Sequence, residues 1–103
     1  MEYDKKIKEI DEGILELMNR NEQLDAVDAL AYAHAIAKEI EGVASNTKNL
    51  QTKFSLFNKA KRVYLLAAKK VPAKQKYMEH FFLEYSHNWE NKARETAIKY
   101  RFL

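Results

Sequence analysis

Apolar residues recur at helical spacing from the start of the chain. Over the first eighteen residues the intervals alternate between four and three, which is typical of an amphipathic helix with one narrow apolar seam. The residues of this seam are Tyr3, Ile7, Ile10, Ile14 and Leu17. The pattern predicts a first helix over residues 3–18.

A second helical pattern, rich in alanine, runs from residue 24 to residue 44. Its start has two interpretations. Asn19 and Glu22 have the spacing of a capping box, whereas a chain that continues straight from the first helix keeps the same register through Asn21 and Leu24. Small side chains on several faces of this segment predict close packing against a neighbouring helix.

Residues 45–49, with the sequence SNTKN, are the best loop candidate in the first half of the chain. Ser, Thr and Asn side chains compete for backbone hydrogen bonds and so interrupt helices. The alternative is one long helix over residues 24–71, in which Gly42 costs about 1 kcal/mol.

Two further helices are predicted on either side of Pro72. The third must end near this proline, because the residue before a proline is disfavoured in the α region, and Pro72 suits the first position of a fourth helix. The apolar face of the third helix comprises Leu50, Phe54, Phe57, Ala60, Tyr64, Ala67, Ala68 and Val71. That of the fourth comprises Met78, Phe82, Tyr85, Trp89, Ala93, Thr96 and Tyr100.

The predicted fold is therefore an all-α antiparallel bundle of four helices, or of three if residues 24–71 are continuous. At 1.5 Å per residue the first, third and fourth helices are roughly 24, 37 and 43 Å long, so the bundle is uneven. Apolar surface then remains on the longer helices, and Leu83, Ile98 and Phe102 lie off the main stripe of the fourth. We expect this surface to contact a second copy or another protein.

Composition agrees with a small helical protein. The 103 residues suffice for one domain, residues 1–103, and contain two Gly and one Pro, too few for the turns of an all-β or α/β chain. The absence of Cys and of an apolar leader or long apolar run predicts a cytoplasmic protein without a membrane span. Fourteen Lys against four Arg suggests an AT-rich genome, such as that of a low-GC bacterium or its phage or plasmid.

Charge is segregated along the chain. Residues 1–41 hold eleven acids and five bases, whereas residues 42–78 hold nine bases and no acid. Residues 79–103 hold four of each, which gives the total of +3. Such asymmetry can attract an anionic partner or dock a basic helix on an acidic one.

The basic residues of the third helix predict one polar face. Lys48, Lys59, Arg62, Lys69 and Lys70 fall within about 100° of a helical wheel. Lys74, Lys76 and Tyr77 follow at the next corner, where Tyr77 could stack on a base. Rows of this kind bind phosphates through counterion release. The alternative is a solvated face, or one paired with acids of the first helix in the same or a neighbouring subunit, namely Glu9, Asp11, Glu12 and Glu16.

No pattern of catalytic or cofactor-binding residues is present. The serines lack a neighbouring base, and two isolated glycines cannot form a phosphate-binding loop. His80, Glu84 and His87 could share one helix face, but the two histidines are two turns apart, and we assign no metal site. We expect a protein without enzymatic activity or cofactor.

The leading functional hypothesis is a helical interaction protein that binds a protein partner, or itself. Its predicted interface residues are Leu83, Trp89, Ile98 and Phe102 on the fourth helix, with the basic face giving orientation. The alternative hypothesis is an accessory protein that contacts single-stranded DNA or RNA through the face from Lys48 to Lys76. Binding to an anionic membrane surface ranks last, because Leu66 is the one large apolar residue within the basic stripe.

Overall fold

The structure, a computed structural model, describes the backbone of residues 2–102 and the side chains of residues 4–101. The helices are α1 (Glu2–Asn19), α2 (Ala26–Asn46), α3 (Leu50–Lys69) and α4 (Glu79–Phe102), and a short 3-10 helix (Ala73–Met78) precedes α4. The prediction of an all-α protein of four packed helices is confirmed. The break at residues 47–49 excludes a single helix over residues 24–71.

The second helix begins later than either interpretation predicts. Residues 20–25 connect α1 to α2, and Asp25 is the cap of α2. The Asp25 carboxylate accepts a hydrogen bond from the backbone N–H of Val27 at 3.1 Å. This satisfies one of the donors that a helix leaves unpaired in its first turn. The predicted cap at Asn19 is therefore wrong, and Asn19 is the last residue of α1.

The predicted polar loop lies between α2 and α3, but it is shorter than residues 45–49. Ser45 and Asn46 complete α2, which leaves residues 47–49 as the connection. Asn49 then caps α3, because its side-chain oxygen accepts a hydrogen bond from the backbone N–H of Thr52 at 3.0 Å.

The corner between α3 and α4 also differs from the prediction, because Pro72 precedes the 3-10 helix and not α4. Gln75 holds this segment against the start of α2. Its side-chain oxygen accepts from the backbone N–H of Ala26 at 2.8 Å, and its side-chain nitrogen donates to Asp25 at 2.8 Å. The hydrogen bond from Gln75 to Asp25 is the main reason why the pKa of the Asp25 carboxyl is lowered.

The four helices are more even in length than predicted. They have 18, 21, 20 and 24 residues.

The helices alternate in direction. Residues of α2 meet residues of α1 and α3 in antiparallel order, and Tyr64 of α3 stacks on Tyr85 of α4 with ring centroids 5.4 Å apart. α4 packs mainly on α3, and α1 packs on α2 and α3. The molecule measures 47 × 27 × 17 Å, so it is flattened. The α2–α3 pair forms its middle, with α1 and α4 docked beside that pair.

The core lies between these helices and is made mostly from the predicted apolar faces, but on α3 the prediction omits the buried Leu56 and Val63 and includes the exposed Phe54. Its largest fully buried side chains are Tyr64, Phe82, Ile10, Leu17, Ile40, Leu56 and Val63. Alanines fill the centre of α2 and α3, where Ala29, Ala33, Ala60 and Ala67 have no exposed surface. Such small side chains allow the helix axes to approach closely, as the alanine content of α2 predicts.

Lys70, directly after α3, joins three parts of the chain. Its ammonium group donates hydrogen bonds to the carbonyl oxygens of Met18 at 3.2 Å and Arg20 at 2.6 Å. Its own carbonyl accepts a hydrogen bond from the N–H of Leu24 at 2.8 Å. A cation is favourable at the carboxyl end of a helix, where carbonyl groups lack partners. Lys70 therefore fastens the α1–α2 connection to the end of α3.

Replacement of Lys70 should destabilise the fold more than replacement of its neighbour. We expect Lys70→Met to lower the free energy of unfolding by about 1–2 kcal/mol, because hydrogen bonds from a charged donor are lost. Lys69→Met, at an exposed position, should change it by less than about 0.5 kcal/mol. Urea denaturation followed by far-UV circular dichroism measures both, and equal effects would contradict the role given to Lys70.

Candidate functional site

The predicted basic face of α3 is partly used inside the molecule. The ammonium group of Lys59 lies 2.8 Å from the carboxylate of Asp11 on α1. Lys70 is occupied with the carbonyl groups at the end of α1. At these two positions the structure matches the alternative interpretation, in which the basic helix docks on the acidic one. Their contact with an anionic partner stays a prediction.

The other predicted basic contacts are exposed and spread over three elements. Lys48 lies in the α2–α3 loop, Arg62 and Lys69 lie on α3, and Lys74 and Lys76 lie in the 3-10 helix. Tyr77, the predicted stacking residue, follows them and exposes 72% of its surface. Within the described side chains, no carboxylate forms an ion pair with any of these five bases. They extend from the α2–α3 loop along α3 to the 3-10 helix, and their contact with an anionic partner stays a prediction.

The predicted interface residues of α4 fall into three groups. Leu83 and Ile98 are exposed, by 45% and 52%. Trp89 lies in the core, because only 8% of it is exposed and it packs against Phe57 of α3 at 5.8 Å between ring centroids. This agrees with its place in the predicted apolar stripe and leaves little of it to contact a partner. The side chain of Phe102 lies outside the described residues. Leu83 and Ile98 therefore remain as candidate contacts on the outer face of α4.

A depression between the start of α3 and the end of α4, which we call the end groove, is a concave surface with a mostly apolar lining. It has a volume of about 360 Å³ and is lined by Gln51, Phe54, Ala97, Tyr100 and Arg101. Phe54 is 39% exposed and Tyr100 is 56% exposed. The groove thus has two partly exposed aromatic rings at its centre and polar groups at its edge.

The end groove continues along the outer face of α3. Gln51 and Phe54 also line an adjoining depression of about 390 Å³, together with Ser55, Asn58, Lys59 and Arg62. Hydroxyl, amide and guanidinium groups therefore follow directly after the aromatic part. An extended surface of this kind, apolar at one end and rich in hydrogen-bond donors at the other, can hold a ligand that carries both apolar and anionic groups.

Sequence periodicity assigns the two aromatic residues of the end groove to the core. This prediction is wrong, because both are exposed in the structure. Phe54 and Tyr100 continue the apolar stripes of α3 and α4, but the last fully packed residue of the α4 stripe is Thr96. Beyond it, the stripe runs past the end of the core. The predicted surplus of apolar surface on the longer helices is the signal that points to this end of the bundle.

A second polar and aromatic cluster lies inside the bundle, where three helices meet. His34 of α2 and Tyr64 of α3 share a hydrogen bond of 2.6 Å between the imidazole Nδ1 and the phenol oxygen. Tyr85 of α4 lies edge-on to His34, at 4.6 Å between ring centroids. Burial raises the pKa of the Tyr64 hydroxyl above its ordinary value of 10.0. The cluster locks α2, α3 and α4 together; Tyr64 is only 2% exposed, whereas Tyr85 at its outer side is 38% exposed.

Stability should therefore fall at alkaline pH, and Tyr64 should contribute to that fall. The raised pKa means that the folded chain keeps the Tyr64 proton at pH values where the unfolded chain loses it, so stability decreases as the pH rises above 10. We expect Tyr64→Phe to cost about 1 kcal/mol at neutral pH through the lost hydrogen bond and to flatten the alkaline decrease. Part of the alkaline decrease in stability should remain in this variant, because the pKa of Tyr32 is also raised, mainly by burial.

Urea denaturation at neutral pH and at several alkaline pH values measures these effects. Tyr77→Phe, at an exposed position, is the matched control and should leave the pH profile unchanged. Identical alkaline slopes for the natural chain and Tyr64→Phe would contradict the assignment.

The other chemical candidates do not come together. Among the described residues, no three His, Cys, Asp or Glu side chains are placed to hold a metal ion. His80 interacts with the carbonyl oxygen of Tyr77 at 2.9 Å, and His87 lies 3.4 Å from Glu90. No helix in the described part of the chain has the length and apolar content that a membrane crossing requires.

Comparison with known proteins adds no functional assignment. No protein-family model, no curated protein and no solved structure matches this chain. Its function must therefore be argued from its own surface.

Proposed function

We propose that the protein is a non-enzymatic helical binding protein that holds a segment of a protein partner in the end groove. The observation that carries this proposal is the exposure of Phe54 and Tyr100 in one concave site. Interfaces combine an apolar, often aromatic, centre with a polar rim, and Tyr and Arg are enriched among their energetically important residues. Gln51 and Arg101 supply such a rim.

The charge of the site favours a partner segment with carboxylates. Arg101 at the groove and Arg62 in the adjoining depression are both exposed, and a guanidinium group can bind a carboxylate with two parallel hydrogen bonds. The partner that fits is an amphipathic helix whose apolar residues enter the end groove and whose acids meet these arginines. Leu83, Ile98 and Phe102 remain proposed additional contacts on α4. A cytoplasmic location belongs to the same proposal, since the chain has no cysteine.

Loss of the two aromatic side chains should abolish partner binding. We expect the double variant Phe54→Ala, Tyr100→Ala to weaken binding by about thirtyfold or more, which is the effect of removing an interface hot spot. Leu15→Ala on α1, where Leu15 is 54% exposed, is the matched control. The measurement is affinity capture from nuclease-treated lysate of the native host, followed by fluorescence-anisotropy titration with a labelled peptide from the captured protein.

Two results would contradict the proposal. One is the capture of the same proteins, in the same amounts, by the natural chain and the double variant. The other is equal weakening by Leu15→Ala. A second copy of this chain bound at the end groove would support the groove and identify the partner. Urea denaturation of each variant separates loss of binding from loss of folding.

A second candidate function is the binding of single-stranded DNA or RNA. The observation that favours it is a set of exposed bases that pair with no carboxylate of the described residues, together with the exposed ring of Tyr77. These bases are Lys48, Arg62, Lys69, Lys74 and Lys76. Lysine and arginine bind the phosphate backbone by releasing condensed counterions, and an exposed aromatic ring can stack on a base. Lys59 and Lys70 do not belong to this set, because they are engaged with α1.

A charge-reversal experiment tests this second function. We expect Arg62→Glu, Lys69→Glu, Lys74→Glu to remove the binding of a labelled single-stranded oligonucleotide at low salt, and natural binding to weaken steeply as salt is added. The matched control reverses three exposed lysines of α1, Lys5, Lys6 and Lys8, and so changes the net charge equally. Absence of binding at low salt, or equal loss in both triple variants, would exclude this function.

A further inference from the structure

In the described part of the chain, the outer face of α2 has a coiled-coil rhythm and an exposed centre, and on one side it borders α1 across a depression. Its central residues are spaced alternately three and four apart, and all are exposed: Asp28, Ala31, Ala35, Lys38, Gly42 and Ser45. The neighbouring helices lie on the two flanks of this face. On one flank Tyr32 donates a hydrogen bond to the Gly13 carbonyl of α1, and on the other His34 contacts Tyr85 of α4. The face between them is open to solvent.

The charges on this face are complementary to themselves. Asp28 and Lys38 each lie five residues from residue 33, and Ala31 and Ala35 each lie two residues from it. If two copies pair antiparallel about a two-fold axis at residue 33, each Lys38 faces Asp28 of the other copy. Each Ala31 then faces Ala35 between these ion pairs. Within the described residues neither Asp28 nor Lys38 forms an ion pair in its own chain.

We infer that the protein forms an antiparallel dimer through α2, in the register that joins Lys38 to Asp28 of the second copy. A shift by one heptad places Ala35 opposite Lys38 and Asp28 opposite Ser45, and both ion pairs are lost. Polar residues in a coiled-coil seam select a register in this way. The occupant of the face is therefore a second copy of this chain, because its charge pattern is its own complement under two-fold symmetry.

The shape of the face agrees with close approach of a second helix. Ala35 and Gly42 also line a depression of about 490 Å³ between α1 and α2, with Lys6, Glu9, Lys38 and Glu39 among its charged edges. The seam buries little apolar surface, because its uncharged members are small. The dimer is accordingly weak and is weakened further by salt. The inference is independent of the end groove, which lies on α3 and α4.

Charge exchange between the two positions tests the inference. In sedimentation experiments at low salt, the natural chain should show a concentration-dependent equilibrium between monomer and dimer. Lys38→Glu and Asp28→Lys should each weaken dimerisation by at least about tenfold, because like charges then meet twice in each dimer. The double variant Asp28→Lys, Lys38→Glu should restore it. Lys69→Glu, on α3, is the control and should have no effect.

Disulfide cross-linking tests the register, since the chain has no cysteine of its own. An equimolar mixture of Ala31→Cys and Ala35→Cys chains should give an oxidised heterodimer, and a mixture of Ala31→Cys and Gly42→Cys chains should give much less. Three results would overturn the inference. The first is stronger cross-linking in the Ala31→Cys and Gly42→Cys mixture than in the Ala31→Cys and Ala35→Cys mixture. The others are a monomer at all concentrations and a dimer that charge exchange leaves unaltered. Phe54→Ala, Tyr100→Ala should leave dimerisation intact, so failure of the end groove as a partner site and failure of the dimer are distinguishable.

Discussion

The close contact between α2 and α3 is the constraint on which the other parts of the structure depend. Ala29, Ala33, Ala60 and Ala67 have no exposed surface, so the two helices can approach closely enough for side chains to bond between them. The hydrogen bond between His34 and Tyr64 needs this approach. The pair also provides the surface on which α1 and α4 are docked, and larger residues at the alanine positions would separate it.

Charge segregation, the most conspicuous property of the sequence, contributes first to folding. The acidic first part of the chain and the basic middle part meet where Lys59 pairs with Asp11. Lys70 adds an interaction with the carboxyl end of the same helix. The basic residues in the middle of the chain suggest an anionic partner, but part of their charge is thus balanced by contacts within the chain. What is left for partners is a smaller positive surface, which begins with Arg62 in the depression next to the end groove and extends to the corner after α3 at the other end of the bundle.

Periodicity alone predicts the four helices, their order and most of the core, because inward-facing positions repeat every turn. It fails where the decisive partner is distant in sequence. The start of α2, at Asp25 and Ala26, is hydrogen-bonded to Gln75, and the role of Lys70 depends on Met18 and Arg20. The two ends of the α4 stripe show a related limit. Trp89 is buried as the stripe predicts, whereas Tyr100 is exposed, because a stripe indicates which side of a helix is apolar but not how far along the helix another helix covers it.

The two ends of the bundle are unequal. At one end, Lys70 and Gln75 tie the α1–α2 connection and the start of α2 to the corner after α3. At the opposite end, α2 and α3 are joined by a short polar turn, and the aromatic rings of Phe54 and Tyr100 are left partly uncovered. Local unfolding should therefore begin at this end of the bundle. A ligand bound between the two rings would stabilise the same end against local unfolding, so that binding would also make the molecule more rigid.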